Sequence, residues 1–290
     1  MFALLVVSLI WAASFGLIKH NLAGVDPHAI AWVRLVIALP VFVPVFRRRG
    51  LSSLLLAKLA TIGAVQYGVM YILYIQAYQY LAAHEVALWT ITTPVYVVIC
   101  HDILHRRGTP RAWLLAALAM GGAALLSTDH LPQAGTQHGW QWGVCLIQLA
   151  NLCFAAGQVA YRHLRQQQPH IVDREVFAVL LLGGVLVTGV TTLWTGGYGQ
   201  LGGLNVHQWS TLVYLGTVAT GFGFFAWNWG ATRVRATTLS VLNNAKIPVA
   251  VAIALFVFGE RIDPLRFSVG AGLVLVALVL ARRGPLDSAS

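Results

Sequence analysis

Four tyrosines, Tyr67, Tyr71, Tyr74 and Tyr78, recur at i, i+4, i+7 and i+11. On an α-helix that spacing sets four phenols on one face, spread over about 16 Å of axis at 1.5 Å per residue. A phenol turned to lipid at mid-depth leaves its hydroxyl without a partner, so the face is expected to look into protein or a wet cavity. Rings there can stack on an aromatic ligand, at about 0.5–1.5 kcal/mol per pair, or hold an ammonium group by cation–π attraction. They can equally pack helices, with their hydroxyls bonded to backbone.

Lys246 sits in the middle of an apolar stretch, close after Asn243 and Asn244. A lysine at a span centre costs roughly 2.5–3.5 kcal/mol, so it is expected to face a cavity and a ligand carboxylate, or to pair with carbonyl groups. Trp227 and Asn228 stand side by side, as do the amides Gln148, Asn151 and Gln158 on one helical face. Such amides suit a polar ligand; they also glue membrane helices together. The predicted site is Tyr74, Tyr78, Trp89, Gln158, Trp227, Asn228, Asn243 and Lys246. Pro94 and Pro248 read as bends that open room, and as hinges.

Other groups carry less. His101 and His105 have a zinc-like spacing but adjoin arginines, which reads as a solvated helix end, and no metal is expected. Arg34 is expected to serve the fold or a gate rather than a ligand. Gly221 and Gly223 follow no strand and form no dinucleotide fingerprint. Cys100, Cys145 and Cys153 lie in apolar stretches and imply no disulfide framework.

The elements that position these groups follow from composition. Of 290 residues, 10% are charged and 58% apolar, against about 25% charged in soluble proteins. Mean hydropathy is +0.73. That excludes disorder and an ordinary cytosolic enzyme, and leaves an all-α polytopic membrane protein. Charge-poor stretches predict ten transmembrane helices, at 2–19, 28–46, 58–80, 85–104, 111–128, 139–161, 174–195, 208–230, 236–258 and 264–282. With the amino terminus cytoplasmic, fourteen of the nineteen lysines and arginines fall on the inner side and three outside. This asymmetry predicts an inner (plasma) membrane protein with both termini cytoplasmic. It also accounts for the net charge of +10 without nucleic acid. The first span, with no basic leader, reads as a retained helix rather than a signal peptide.

The pattern repeats. An offset of 154 pairs Pro94 with Pro248, Trp89 with Asn243, Tyr74 with Asn228 and Pro110 with Pro264. Five spans per half is odd, so the repeats, 1–130 and 131–290, are expected to be inverted, the arrangement of transporters that alternate access about a midplane site. With Gly259-Glu260 closing span nine and Arg34 in span two, the chain resembles the drug/metabolite transporter superfamily, EamA type. The first half departs, with His105-Arg106 in place of Gly259-Glu260. The aromatic face resembles YddG-type bacterial exporters of aromatic amino acids.

The resulting expectation is an exporter or facilitator of small amphiphilic metabolites, with aromatic amino acids foremost. The substrate ring would lie against Tyr74, Tyr78, Trp89 and Trp227, and rocking of the two halves would alternate access. No cofactor is expected, the bilayer is the surrounding partner, and one chain suffices. The sequence has no P-loop, and direct ATP hydrolysis is not expected. No acid occupies a span centre, so facilitation stands beside proton antiport. One alternative is a multispecific drug or cation exporter. Another is a membrane transferase using His101-Asp102 or His170 with Asp173.

Overall fold

The computed structural model describes residues 2–48, 50–106, 108–126, 139–244, 247 and 264–282. Every regular element among them is helical. The first five helices are α1 Phe2–Asn21, α2 Pro27–Val45, α3 Ser53–Gln79, α4 Glu85–His105 and α5 Pro110–Leu126. After these come α6 Trp140–Gln167, α7 Asp173–Thr195, α8 Val206–Ala231, α9 Ala236–Leu242 and α10 Pro264–Arg282. Seven of them, α1–α4 and α6–α8, are long and apolar enough to cross a membrane. α5 and the Phe267–Ala281 stretch of α10 are shorter apolar helices. The chain is a multi-pass membrane protein. Of the predicted ninth span, only α9 and the turn at Asn243 and Asn244 are described. Lys246 and Pro248, together with the Gly259-Glu260 pair, lie outside the described residues.

Local chemistry sets the helix ends. Asp26 accepts from the Ala29 amide at 2.8 Å, and Pro27 occupies the first turn, where its missing N–H is not needed. Asn205 and Gln208 cap α8 reciprocally, at 2.8 and 3.0 Å. Gly196, at φ +73°, closes α7 in the left-handed conformation that glycine adopts without strain. The glycine-rich connection between α7 and α8 contains one short helix, Tyr198–Leu201.

Two helices are irregular in the same way. α3 is π-helical over Ala64–Val69, and α8 over Leu215–Phe222. The i→i+5 ladder changes which face the following side chains occupy, a feature frequent at functional sites.

Small residues let backbones touch. α3 crosses α7 with Gly63 against the Leu180 carbonyl and Gly183 against that of Ala60, leaving no space for a Cβ at either. A Cβ on Gly122 of α5 would meet the Gly270 carbonyl of α10 at 2.6 Å; one on Gly270 would meet that of Gly122 at 2.8 Å. The further contacts interleave the chain. α7 lies on α2 and α3, α8 on α1 and α2, α6 on α3 and α4, and α9 on α4, α5 and α10. Leu186, Val190, Leu193 and Trp194 on α7 remain exposed, an apolar surface suited to acyl chains.

One end of the bundle is rich in arginine. Arg47, after α2, lies 3.5 Å from Glu175. Asp173, 4% exposed at the start of α7, accepts from Tyr161 Oη at 2.7 Å, Arg165 Nε at 2.9 Å and Arg233 Nη1 at 3.2 Å. This hub ties the ends of α6 and α8 to the start of α7.

Candidate functional site

A cavity with about 600 Å³ of atom-free space, its mouth included, opens among α1, α2, α3, α4, α6 and α8. One wall is aromatic. Trp11 meets Phe154 and Phe224 edge-on, at centroid distances of 5.7 and 5.2 Å, and is pinned by its indole N–H donating to the Ala219 carbonyl at 2.9 Å. Phe15 and Tyr74 continue this wall, 6.1 Å apart.

The polar wall centres on Arg34, which is 2% exposed. Its Nη2 donates to Tyr71 Oη at 2.7 Å, its Nε to Thr220 Oγ1 at 3.2 Å, and the two hydroxyls are themselves bonded at 2.8 Å. The guanidinium carbon sits 4.2 Å from the Tyr71 ring centroid. Thr220 belongs to the π-helical part of α8.

Thr90, Thr93 and Asn151 form the third side. Pro94 has no N–H for the Thr90 carbonyl; Thr93 Oγ1 donates to that oxygen at 2.6 Å instead. Asn151 Nδ2 donates to the Trp89 carbonyl at 2.9 Å, tying α6 to α4. Ser240 Oγ reaches the Pro94 carbonyl at 2.9 Å and Asn244 Nδ2 that of Ile91 at 2.9 Å, so α9 grips the same bend.

The residues predicted from sequence are distributed unevenly about this space. Tyr74 lines it; Tyr78, buried behind it, bonds Tyr74 hydroxyl to hydroxyl at 2.7 Å. Trp89 meets Trp140 edge-on at 6.0 Å, and neither indole N–H has a partner among the described residues. Trp227 donates to Gln158 at 3.0 Å in the core, and both are buried. Asn228 accepts from Gln66 Nε2 at 2.9 Å and donates to Tyr67 Oη at 2.6 Å, joining α8 to α3. Asn243 donates to Leu239 within its own helix at 2.8 Å.

Arg34, Tyr71 and Thr220 were not in the predicted set, and Arg34 stands on the cavity wall rather than only in the fold. The available signal was that Arg34 is the one charge in its span. The transferase candidates have structural partners instead. Asp102 accepts from Thr109 Oγ1 at 2.7 Å and Trp113 Nε1 at 3.0 Å, closing the turn into α5, and Asp173 is the arginine hub.

Replacing Asn228 by leucine should remove three buried bonds, two to Gln66 and one to Tyr67, and strand both partners. The expected loss is about 2 kcal/mol of stability, read as a lower melting midpoint of the purified protein.

Apolar helices of membrane length around an internal, partly polar chamber define a membrane transporter. The chain belongs to the EamA-like transporter family, whose model matches residues 1–128 and 141–283. It is therefore a transporter and not an enzyme, and the family within the drug/metabolite superfamily is the one the sequence resembled; nothing singles out the YddG type. It is 35% identical over 282 residues to the protein named biotin transporter in Salmonella typhimurium, covering 97% of this chain and 92% of that one. The Escherichia coli K12 biotin transporter matches at the same identity and coverage. The probable biotin transporter of Pseudomonas aeruginosa is 36% identical, with 97% of both chains covered. A solved crystal structure superposes with a TM-score of 0.71 at 16% identity, over 97% of this chain and 96% of its own; that likeness concerns the fold alone.

Proposed function

We propose that this protein carries biotin across the bacterial inner membrane. The observation that bears most weight is similarity over 97% of the chain, at 35–36% identity, to proteins named biotin transporter in two bacterial species and probable biotin transporter in a third. Biotin is a carboxylic acid whose aliphatic chain and thioether ring are apolar and whose ureido ring is polar. The cavity lining offers both kinds of surface, aromatic rings at Trp11, Phe15, Phe154 and Phe224 and a cation at Arg34. Aromatic amino acids share the carboxylate, but the relatives' names give that earlier expectation no support.

The transport scheme is alternating access by ten crossings built from two inverted five-helix repeats, 1–130 and 131–290, in a single chain without cofactor. Two separate matches to one family model support the duplication. So do the π-helical stretches at corresponding places in α3 and α8. The helix contacts also come in exchanged pairs: α3 with α6 mirrors α8 with α1, and α3 with α7 mirrors α8 with α2. Pro94 acts as a hinge at the cavity edge, with Pro248 as its repeat partner. The lysine and arginine distribution supports cytoplasmic termini. In this scheme Tyr74 contacts substrate directly, whereas Tyr78, Gln158, Trp227 and Asn228 hold the walls.

The test is uptake of radiolabelled biotin into proteoliposomes, beside phenylalanine, tryptophan and a lipophilic cationic dye. Saturable biotin flux, suppressed by excess unlabelled biotin, is expected. Flux of the amino acids alone would restore the aromatic exporter; flux of the dye alone would indicate a multispecific cation exporter.

A further inference from the structure

We infer that Arg34 is the cavity's carboxylate anchor, with Tyr71 and Thr220 as the positioning residues that hold its guanidinium. The inference deepens the biotin reading and rests on that cavity being the substrate site.

A guanidinium has five N–H donors in a planar fork and stays cationic in proteins. Here Nε serves Thr220 and Nη2 serves Tyr71, while Nη1 is buried with no hydrogen-bond partner among the described residues. The ion pairs among the described residues, at Arg47, His101, Arg165 and Arg233, leave Arg34 without a carboxylate. A buried cation inside a membrane bundle is costly unless something answers its charge. Both hydroxyls that touch Arg34 are neutral, so they orient the group, and among the described residues its charge has no counter-ion.

The clamp is preorganised. Three helices meet in it: α2 supplies Arg34, α3 Tyr71 and α8 Thr220. The Tyr71 ring beneath the guanidinium and the bonded hydroxyls fix its plane before any ligand arrives. The remaining donors match a carboxylate, the ligand group that brings charge and acceptors together. The aromatic side, Trp11, Phe154 and Phe224, is left for the apolar body. A neutral amide of the same body would leave the charge unanswered, so the cavity should discriminate by ionisation rather than by shape.

The experiment measures binding to purified wild type by concentration-dependent thermal stabilisation. The ligand pairs are biotin with biotinamide, and phenylalanine with phenylalaninamide. Arg34→Gln and Arg34→Lys are compared with it. Wild type is expected to bind biotin about 100-fold more tightly than biotinamide. In Arg34→Gln the acid-over-amide ratio should fall toward one; Arg34→Lys should keep a preference for the acid with affinity about tenfold weaker, because an ammonium lacks the planar fork.

An Arg34→Gln protein that retains the full acid preference overturns the anchor while leaving biotin as substrate. If Arg34→Gln does not fold, Arg34→Lys decides, and undiminished acid affinity overturns it. If only the phenylalanine pair binds, with the same loss in Arg34→Gln, the biotin reading fails and the anchor stands. Stabilisation by none of the four compounds, or equally by acid and amide, overturns the anchor.

Discussion

Gly183→Val will yield no folded protein. A Cβ at Gly183 would occupy the space of the Ala60 carbonyl, a backbone atom that cannot swing aside as a side-chain end can. Gly63 stands in the reciprocal position against Leu180, so the two helices are already at closest approach. Overpacking a tight interface costs typically 1–3 kcal/mol, and a backbone-to-backbone clash belongs at about 3 kcal/mol or beyond. The check is the monodisperse peak of a fluorescent fusion on size exclusion. Gly16→Ala and Gly121→Ala are the controls, since a Cβ meets nothing within 4 Å at either site. Equal recovery of Gly183→Val and the controls would show that α3 and α7 do not cross in this way.

Asp173→Asn should be the most damaging change of a charged residue outside the cavity. The carboxylate is 4% exposed and answers Arg165 and Arg233 together with the Tyr161 hydroxyl. Asparagine keeps the shape and removes the charge, leaving the Arg165 side chain, 14% exposed, without its counter-ion. Breaking such a pair from one side costs about 3 kcal/mol, whereas the pair as a whole contributes far less. Glu175→Gln is the comparison. Its partner Arg47 has a side chain 73% exposed at 3.5 Å, and such surface pairs contribute about 0.5 kcal/mol. Melting midpoints should therefore fall by several degrees for Asp173→Asn and hardly at all for Glu175→Gln. Equal shifts would mean that the hub is open to water.

Membrane class and family were legible because both depend on amounts and order: scarce charge, ten apolar stretches and one repeated scheme of prolines. The cavity was less legible, for reasons visible in particular residues. Tyr67, Tyr71, Tyr74 and Tyr78 share a face only on a regular α-helix, and Tyr67 lies inside the π-helical stretch while Ala77–Gln79 winds as a 3-10 turn. Tyr67 therefore bonds Asn228, Tyr71 bonds Arg34, and only Tyr71 and Tyr74 of the four reach the cavity. Asn228 and Gln158 looked like ligand groups because their partners, Gln66 and Trp227, are on other helices at separations that no local pattern encodes. Arg34 is the one charge in its span, and which face it occupies, the one that lines the cavity, is not encoded by that count.

The interleaved packing bears on what can move. α2, α3, α7 and α8 are cross-braced into one block, and α4, α5, α9 and α10 into another, each mixing helices from before and after residue 130. The chain's midpoint is thus no joint. Swinging the first five helices as a unit against the last five would tear the glycine crossings apart. At the cavity the two blocks are bridged by polar side chains as well, where Asn151 of α6 bonds the Trp89 carbonyl and the Thr92 hydroxyl of α4. Two fragments severed at the midpoint would each carry half of both blocks, and neither would hold its shape without the other.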